Sequence, residues 1–256
     1  MEERRLKISA HHGDAGRPNN LATARTLLEH HDEIDVMEID FVTFRGRIVS
    51  SHDYDATVIA DGSPLEEWMR FVVGERHCVL WIDVKENSWL YMNWMYGQFD
   101  VALFFQTLRR VRRALWREDG QLDVTALVWI GCQDPALRQR LVEANDVQRH
   151  PWQMMLDVPM MRSYVWKMLT PSCLAAALEK QVMEELLGVD YKQAQLLSLD
   201  HSFFASRDAL IAFLRKLKLR RGATLILYSF ARDVKPIQLR NVNVVMQYDY
   251  FSRDGQ

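Results

Sequence analysis

Short, nearly uninterrupted apolar runs recur along the chain and alternate with segments in which apolar residues return at helical spacing. The runs predict strands at 6–10, 35–41, 78–84, 125–131, 152–158, 195–199, 223–229 and 242–247. The intervening segments predict helices at 21–31, 64–74, 100–117, 135–145, 171–187 and 206–219, with Ser63 as the cap of the second. Apolar strands of this kind are typical of parallel sheets buried on both faces. The alternation predicts an α/β fold, a single (β/α)8 TIM-type barrel, with a doubly wound open sheet as the alternative.

Length and composition change this picture little. The chain has 256 residues, 48% of them hydrophobic and 26% charged, which suits one barrel domain over residues 1–256. The net charge of −2 provides no field that would attract nucleic acid, so no nucleic-acid partner is expected. Three cysteines without metal-binding spacing indicate a reducing compartment. No signal peptide or transmembrane segment is visible, so we expect a cytoplasmic protein, or a secreted one if a leader was removed.

Acidic residues fall at the ends of the second and third predicted strands. Glu38 and Asp40 are two residues apart, so both side chains project from one face of the strand. Two carboxylates on an apolar face repel each other and are costly to desolvate, and a hard cation between them relieves both problems. A solvent-facing acidic pair on an edge strand is the alternative interpretation. Asp83 and Lys85 end the third strand with the same spacing.

Histidines follow the neighbouring strands. His11 and His12 come directly after the first predicted strand, and His52 and Asp53 follow a short basic hairpin after the second. In a barrel of this type, residues at the carboxyl ends of the strands meet at one mouth, with adjacent strands about 4.8 Å apart. Each residue alone also has a structural interpretation, as a hydrogen-bonded histidine or a helix cap. Their joint placement favours a functional site.

These segments resemble the PLC-like phosphodiesterase superfamily, in particular its glycerophosphodiester phosphodiesterases and its sphingomyelinase D-type phospholipases. The resemblance covers residues 6–90 and is carried by Ala10-His11-His12-Gly13, Glu38-Ile39-Asp40, His52-Asp53 and Asp83-Val84-Lys85. The chain departs from the glycerophosphodiesterase pattern at His12, where that family has arginine, and at 18–21, which reads Pro-Asn-Asn-Leu. The third strand has Asp83, as in the sphingomyelinase D-like group, where glycerophosphodiesterases have glutamate. The menorin-type proteins also have a similar layout.

The resemblance implies a metal-dependent phosphodiesterase that acts on a phospholipid or a small glycerophosphodiester-like substrate. Glu38, Asp40 and Asp83 would hold one divalent cation, Mg²⁺ or Ca²⁺. His11 and His52 would exchange protons with the attacking and leaving groups, and Lys85 would add a positive contact to the phosphate. The attacking group would be water, or a neighbouring substrate hydroxyl that leaves a cyclic phosphate. Substrate contacts are expected from His12, Asn20, Asp53, Trp89 and Tyr248.

Other features leave alternatives open. The aromatic segment 88–96 follows the third strand and is interpreted as a loop buried on the barrel, or as a lip for peripheral contact with a membrane surface. The arginines of the long predicted helix indicate a solvated outer face; they are Arg109, Arg110, Arg112, Arg113 and Arg117. A catalytically silent barrel that binds a phosphorylated or lipid ligand is the second functional hypothesis. An amidohydrolase is the third, although the adjacent His11 and His12 lack the spacing that it needs.

Overall fold

A computed structural model describes residues 7–11, 20–51, 62–85, 98–157, 187, 191, 194–200, 204, 206–230, 235 and 237–249. The chain divides into two compact units, one formed by Ile8–Met154 with Asp249–Gln256 and the other by Met1–Lys7 with Met155–Tyr248. A single domain over residues 1–256 stays a prediction. The predicted helix at 171–187 lies outside the described residues, apart from its last position.

The first unit is built on parallel strands with helices between them. Its strands are β1 (Lys7–His11), β2 (Ile34–Phe44), β3 (Arg47–Ser50), β4 (Val79–Val84), β5 (Val128–Gly131) and β6 (Gln153–Met154). Its helices are α1 (Leu21–His30), α2 (Leu65–Trp68), which continues as a π-helix over Met69–Glu75, α3 (Val101–Glu118) and α4 (Pro135–Asp146). The strand order is β6-β5-β4-β2-β1, and β3 returns antiparallel along the end of β2.

The second unit repeats this arrangement with fewer described elements. Its strands are β7 (Leu156–Asp157), β8 (Leu196–Asp200), β9 (Thr224–Phe230) and β10 (Asn243–Asp249), and helix α5 (Arg207–Lys216) separates β8 from β9. The order is β10-β9-β8-β7, again parallel. In both units the order across the sheet follows the order along the chain. A doubly wound sheet reverses its order instead, so both units favour the barrel topology over that alternative.

Both faces of the strands in the first unit are buried, and they differ in composition. Met37, Ile39 and Phe41 of β2 belong to one apolar core with alternate residues of β4 and β5 and with the inward stripe of α3, including Leu108 and Leu115. The other face carries the intervening residues of the same strands. Because side chains alternate along a strand, the polar residues of β2 and β4 project away from the helices.

Side-chain caps set several helix starts. Asp100, Asp134 and Ser206 each accept a hydrogen bond from the backbone N–H three residues ahead, at the first turns of α3, α4 and α5. The predicted cap at Ser63 is wrong, because the residue before α2 is Pro64 in an extended conformation. Instead, the Ser63 carbonyl accepts a hydrogen bond from the Ser50 N–H, and the Ser63 N–H donates to the Ser50 hydroxyl, so Ser63 is held beside β3.

Two predicted strands also differ from the structure. The strand predicted from Thr125 begins only at Val128, because the Asp123 carboxylate accepts hydrogen bonds from Thr125 and from the Ala126 N–H and so holds a turn there. The strand predicted over 152–158 is divided into β6 and β7 at Met155. Among the described helices, none has the length and apolar character that crossing a membrane requires.

Candidate metal centre and active site

Three carboxylates meet near the carboxyl end of β4, where its parallel pairing with β2 ends; β2 itself continues to Phe44. Asp40 of β2 is the register partner of Asp83 of β4, and Glu38 lies two residues earlier on the same face of β2. One carboxylate oxygen from each of the three residues lies within 4.8 Å of the others, and all three residues are buried. The structure thus brings together the residues that the sequence assigns to a cation.

The ammonium group of Lys85 completes this cluster. Its Nζ lies 3.0 Å from Asp40 Oδ1 and 2.5 Å from Asp83 Oδ2, so it bridges the two strands. The backbone N–H of Lys85 donates to the carbonyl of Phe41, which holds the residue beside β2. Burial on its own would lower the pKa of Lys85, but the charges of Asp40, Asp83 and Glu38 outweigh it and raise the pKa well above its usual value. Lys85 is therefore a permanent cation at neutral pH.

The charge of the cluster matches a divalent cation. Three carboxylates and one ammonium leave a formal charge of −2 in a region where Asp40 and Asp83 are almost fully buried. The donor atoms are all carboxylate oxygens, which hard cations such as Mg²⁺ and Ca²⁺ prefer. The residues present thus fit one such ion both in charge and in donor chemistry.

An aromatic floor lies beneath the carboxylates. Trp81 of β4 is the register partner of Glu38 on one side and of Trp129 on the other, two residues before Asp83 on the same face. The indole of Trp81 reaches under Gly131, which is the register partner of Asp83: a Cβ at Gly131 would lie 2.7 Å from the indole Nε1. This floor was not predicted from the sequence, although the position of Trp81 two residues before Asp83 places both side chains on one face of β4.

We expect the Gly131→Ala variant to lose about 2 kcal/mol of unfolding free energy, because the new methyl overpacks against the Trp81 indole. Denaturant unfolding followed by circular dichroism measures this loss. Gly120→Ala is the matched control, since a Cβ there meets nothing within 4 Å and the change should stay near zero. Equal stability of the two variants would contradict the tight contact between Trp81 and Gly131.

The histidine segments precede and follow Glu38 and Asp40 in the chain. β1 ends at His11, whose Cα is paired in register with that of Glu38. After the β2–β3 hairpin, the N–H of Ser51 donates to the carbonyl of Asp40, and His52 is the next residue in the sequence. Four predicted site residues lie outside the described residues: His12, His52, Asp53 and Trp89.

Two other predicted substrate contacts are among the described residues. Asn20 is the N-cap of α1, and its side chain accepts a hydrogen bond of 2.7 Å from the Ala22 N–H. Tyr248 lies near the end of β10 in the second unit, and burial raises the pKa of its phenol. The roles of Asn20 and Tyr248 in substrate binding stay predictions.

Parallel strands with helices between them, and acidic side chains gathered at the strand ends, define the class of TIM-type barrels that carry a candidate metal site. Comparison with solved structures agrees with this class. A glycerophosphodiester phosphodiesterase from Agrobacterium tumefaciens str. C58 superposes with a TM-score of 0.54 at 12% identity, over 94% of this chain and 96% of its own. One from Parabacteroides distasonis ATCC 8503 gives 0.52 at 12% identity, over 95% and 92%.

At this identity the likeness shows the fold, and the fold is that of the (β/α)8 barrel, as the alternation of strands and helices predicts. The neighbours are the proteins that the His, Glu-x-Asp and Asp-x-Lys segments resemble. Comparisons with protein-family models and with curated protein sequences find no match.

Proposed function

We propose that this protein is a metal-dependent phosphoric diester hydrolase that acts on a phospholipid or a small glycerophosphodiester-like substrate. The observation that carries the proposal is the buried cluster of Glu38, Asp40 and Asp83, whose oxygens lie within 4.8 Å of one another at the strand ends of a barrel similar to glycerophosphodiester phosphodiesterases. The salt bridges from Lys85 compensate part of the charge of the three buried carboxylates, and a divalent cation would compensate more of it.

Glu38, Asp40 and Asp83 would hold a single divalent cation, Mg²⁺ or Ca²⁺. When bound, such an ion supplies Lewis-acid stabilisation of the charge that develops on the phosphate oxygens. Lys85 holds Asp40 and Asp83 in place and contributes a second positive charge beside them. Its raised pKa supports this role, because the ammonium stays charged over the pH range in which histidines exchange protons.

His11 and His52 are the proposed acid and base. One accepts the proton of the attacking hydroxyl, and the other donates a proton to the leaving alcohol. The attacking hydroxyl is water or a neighbouring hydroxyl of the substrate, and the second case gives a cyclic phosphate. The register pairing of His11 with Glu38 supports a catalytic role for His11. The catalytic role of His52 rests on its place in the His52-Asp53 motif. We keep His12, Asn20, Asp53, Trp89 and Tyr248 as proposed substrate contacts.

The test measures release of choline or another alcohol from soluble and lipid phosphodiesters, with and without EDTA. We expect turnover that EDTA removes and that added Mg²⁺ or Ca²⁺ restores. Turnover that survives chelation would reject the metal mechanism. Inactivity on all diesters, in protein shown to bind the metal, would favour the catalytically silent barrel. Phosphorus-31 NMR of the product separates a cyclic phosphate from a monoester.

A further inference from the structure

A cavity lies beyond the amino-terminal end of β5, away from the carboxylates. It has a volume of about 710 Å³, within the range of small-molecule sites. Its wall includes residues 121–125, which precede β5, whereas Asp83 is paired with Gly131 at the carboxyl end of that strand. The length of β5 therefore separates this cavity from the proposed active site, and both lie within the first unit.

One side of the cavity is a basic face of α3 with a tryptophan on it. Arg112, Arg113, Trp116 and Arg117 occupy positions i, i+1, i+4 and i+5 of the helix, so they share one side. The side chain of Trp116 is 58% exposed, which is unusual for a large apolar residue. Arg113 and Arg117 are exposed, as predicted for a solvated outer face, and with Arg112 they also line the cavity.

The arginines of α3 differ in how the protein engages them. Arg110 pairs with Glu66, and Arg109 donates to the side chain of Gln148 at 2.8 Å. Arg112 lies with its guanidinium carbon 5.2 Å from the ring centre of Trp152 and donates to the carbonyl of His150.

Arg113 and Arg117 make no ion pair within the part of the chain that the structure describes. The guanidinium groups of Arg113 and Arg117 can therefore bind an anionic ligand in the cavity.

The net charge of the wall is positive. Three arginines face one carboxylate, that of Asp123, which gives a formal charge of +2 when His150 is neutral. The Asp123 carboxylate is already engaged, since it accepts hydrogen bonds from the Thr125 hydroxyl at 2.6 Å and from backbone N–H groups of its own loop. Burial and the charges of Arg113 and Arg109 lower the pKa of Arg112, as expected where positive charge is in excess.

We propose that this cavity binds an organic phosphate that carries a flat ring, the chemistry of a nucleoside monophosphate. The doubly charged phosphate balances the +2 of the wall, and guanidinium groups bind phosphate oxygens in paired hydrogen bonds. The exposed indole of Trp116 offers a stacking surface for the ring, and Leu122 and Val124 supply apolar wall. The site is separate from the proposed phosphodiesterase centre and does not depend on it.

The test is isothermal titration of the full chain with adenosine 5′-monophosphate, in EDTA and at low ionic strength. We expect one site per chain, with weaker binding of inorganic phosphate and of adenosine. The double variant Arg113→Gln/Arg117→Gln should weaken binding about tenfold or more, and Trp116→Ala by a similar factor. Arg215→Gln/Lys216→Gln is the matched control, because it removes two exposed charges from the last turn of α5 and should leave affinity unchanged.

Three results would overturn the proposal. One is no binding at millimolar concentrations of the nucleotide by folded protein. Another is binding that is equal in the Arg113/Arg117 variant and in its control. The third is affinity that rises steadily with the length of a single-stranded oligonucleotide, which would identify a nucleic-acid surface instead. Circular dichroism of each variant shows that it is folded before it is titrated.

Discussion

Replacing Glu38 by glutamine is expected to lower kcat/KM for phosphodiester cleavage about a thousandfold, which corresponds to about 4 kcal/mol of transition-state stabilisation. The amide keeps the size of the side chain but removes one of the three negative charges that would hold the cation. Lys85 forms its ion pairs with Asp40 and Asp83 and not with Glu38, so the substitution leaves both ion pairs in place.

The metal-free Glu38→Gln protein should be as stable as the wild type or slightly more stable, because repulsion among the buried carboxylates falls. Calorimetric titration with Mg²⁺ or Ca²⁺ should show the loss of affinity directly. Glu29→Gln, an exposed change on α1, is the control and should retain both affinity and activity. Unchanged activity in Glu38→Gln would reject the carboxylate cluster as the metal site. Lost activity with unchanged metal affinity would assign Glu38 another role.

Lys85→Met is expected to destabilise the metal-free protein by about 3 kcal/mol. Methionine keeps most of the side-chain length, but Asp40 and Asp83 then lose the ammonium that lies 3.0 Å and 2.5 Å from their oxygens. Both aspartates are almost fully buried, so water cannot replace this partner. Urea unfolding in EDTA measures the loss. A saturating divalent cation should recover much of it, because the ion neutralises the same carboxylates.

The pH dependence distinguishes this effect from a simple packing defect. In the wild type the folded state raises the pKa of Lys85, so its contribution to stability is complete below the usual value of 10.5 and is lost only as pH rises through the raised value. In Lys85→Met the uncompensated carboxylates take up protons more readily, so the difference from wild type should shrink as the pH is lowered into the acidic range. A difference that is independent of both pH and metal would indicate lost packing instead.

Much of the site follows from two simple rules applied to the sequence. The two-residue period of a strand placed Glu38 with Asp40, and the convergence of strand ends in a barrel placed Asp83 beside them. The structure adds the register, in which Asp40 and Asp83 are direct partners. Periodicity within one strand carries no information on register between strands, so the contact of Lys85 with Asp40 could not be predicted.

Several features that the sequence did not predict depend on contacts between separate segments of the chain. Ser63 has the sequence of a good helix cap, but hydrogen bonds with Ser50, thirteen residues earlier, occupy its backbone. The need for glycine at position 131 depends on the rotamer of Trp81, which lies on the neighbouring strand and fills the space where a Cβ would be. Asn145 is a further example: it bonds both the N–H and the carbonyl of Trp152 and so sets where β6 begins, with nothing in the local pattern to show it.

The bridge from Lys85 to Asp40 and Asp83 has a consequence for the maturation of the protein. An internal counter-ion lets the newly made polypeptide reach its native state before any inorganic ion has arrived, since two of the acidic groups are already compensated. For the metal centre proposed above, loading would then be a separate, reversible event whose timing depends on the ionic conditions around the folded protein. A chelator would accordingly abolish the proposed activity without unfolding the protein.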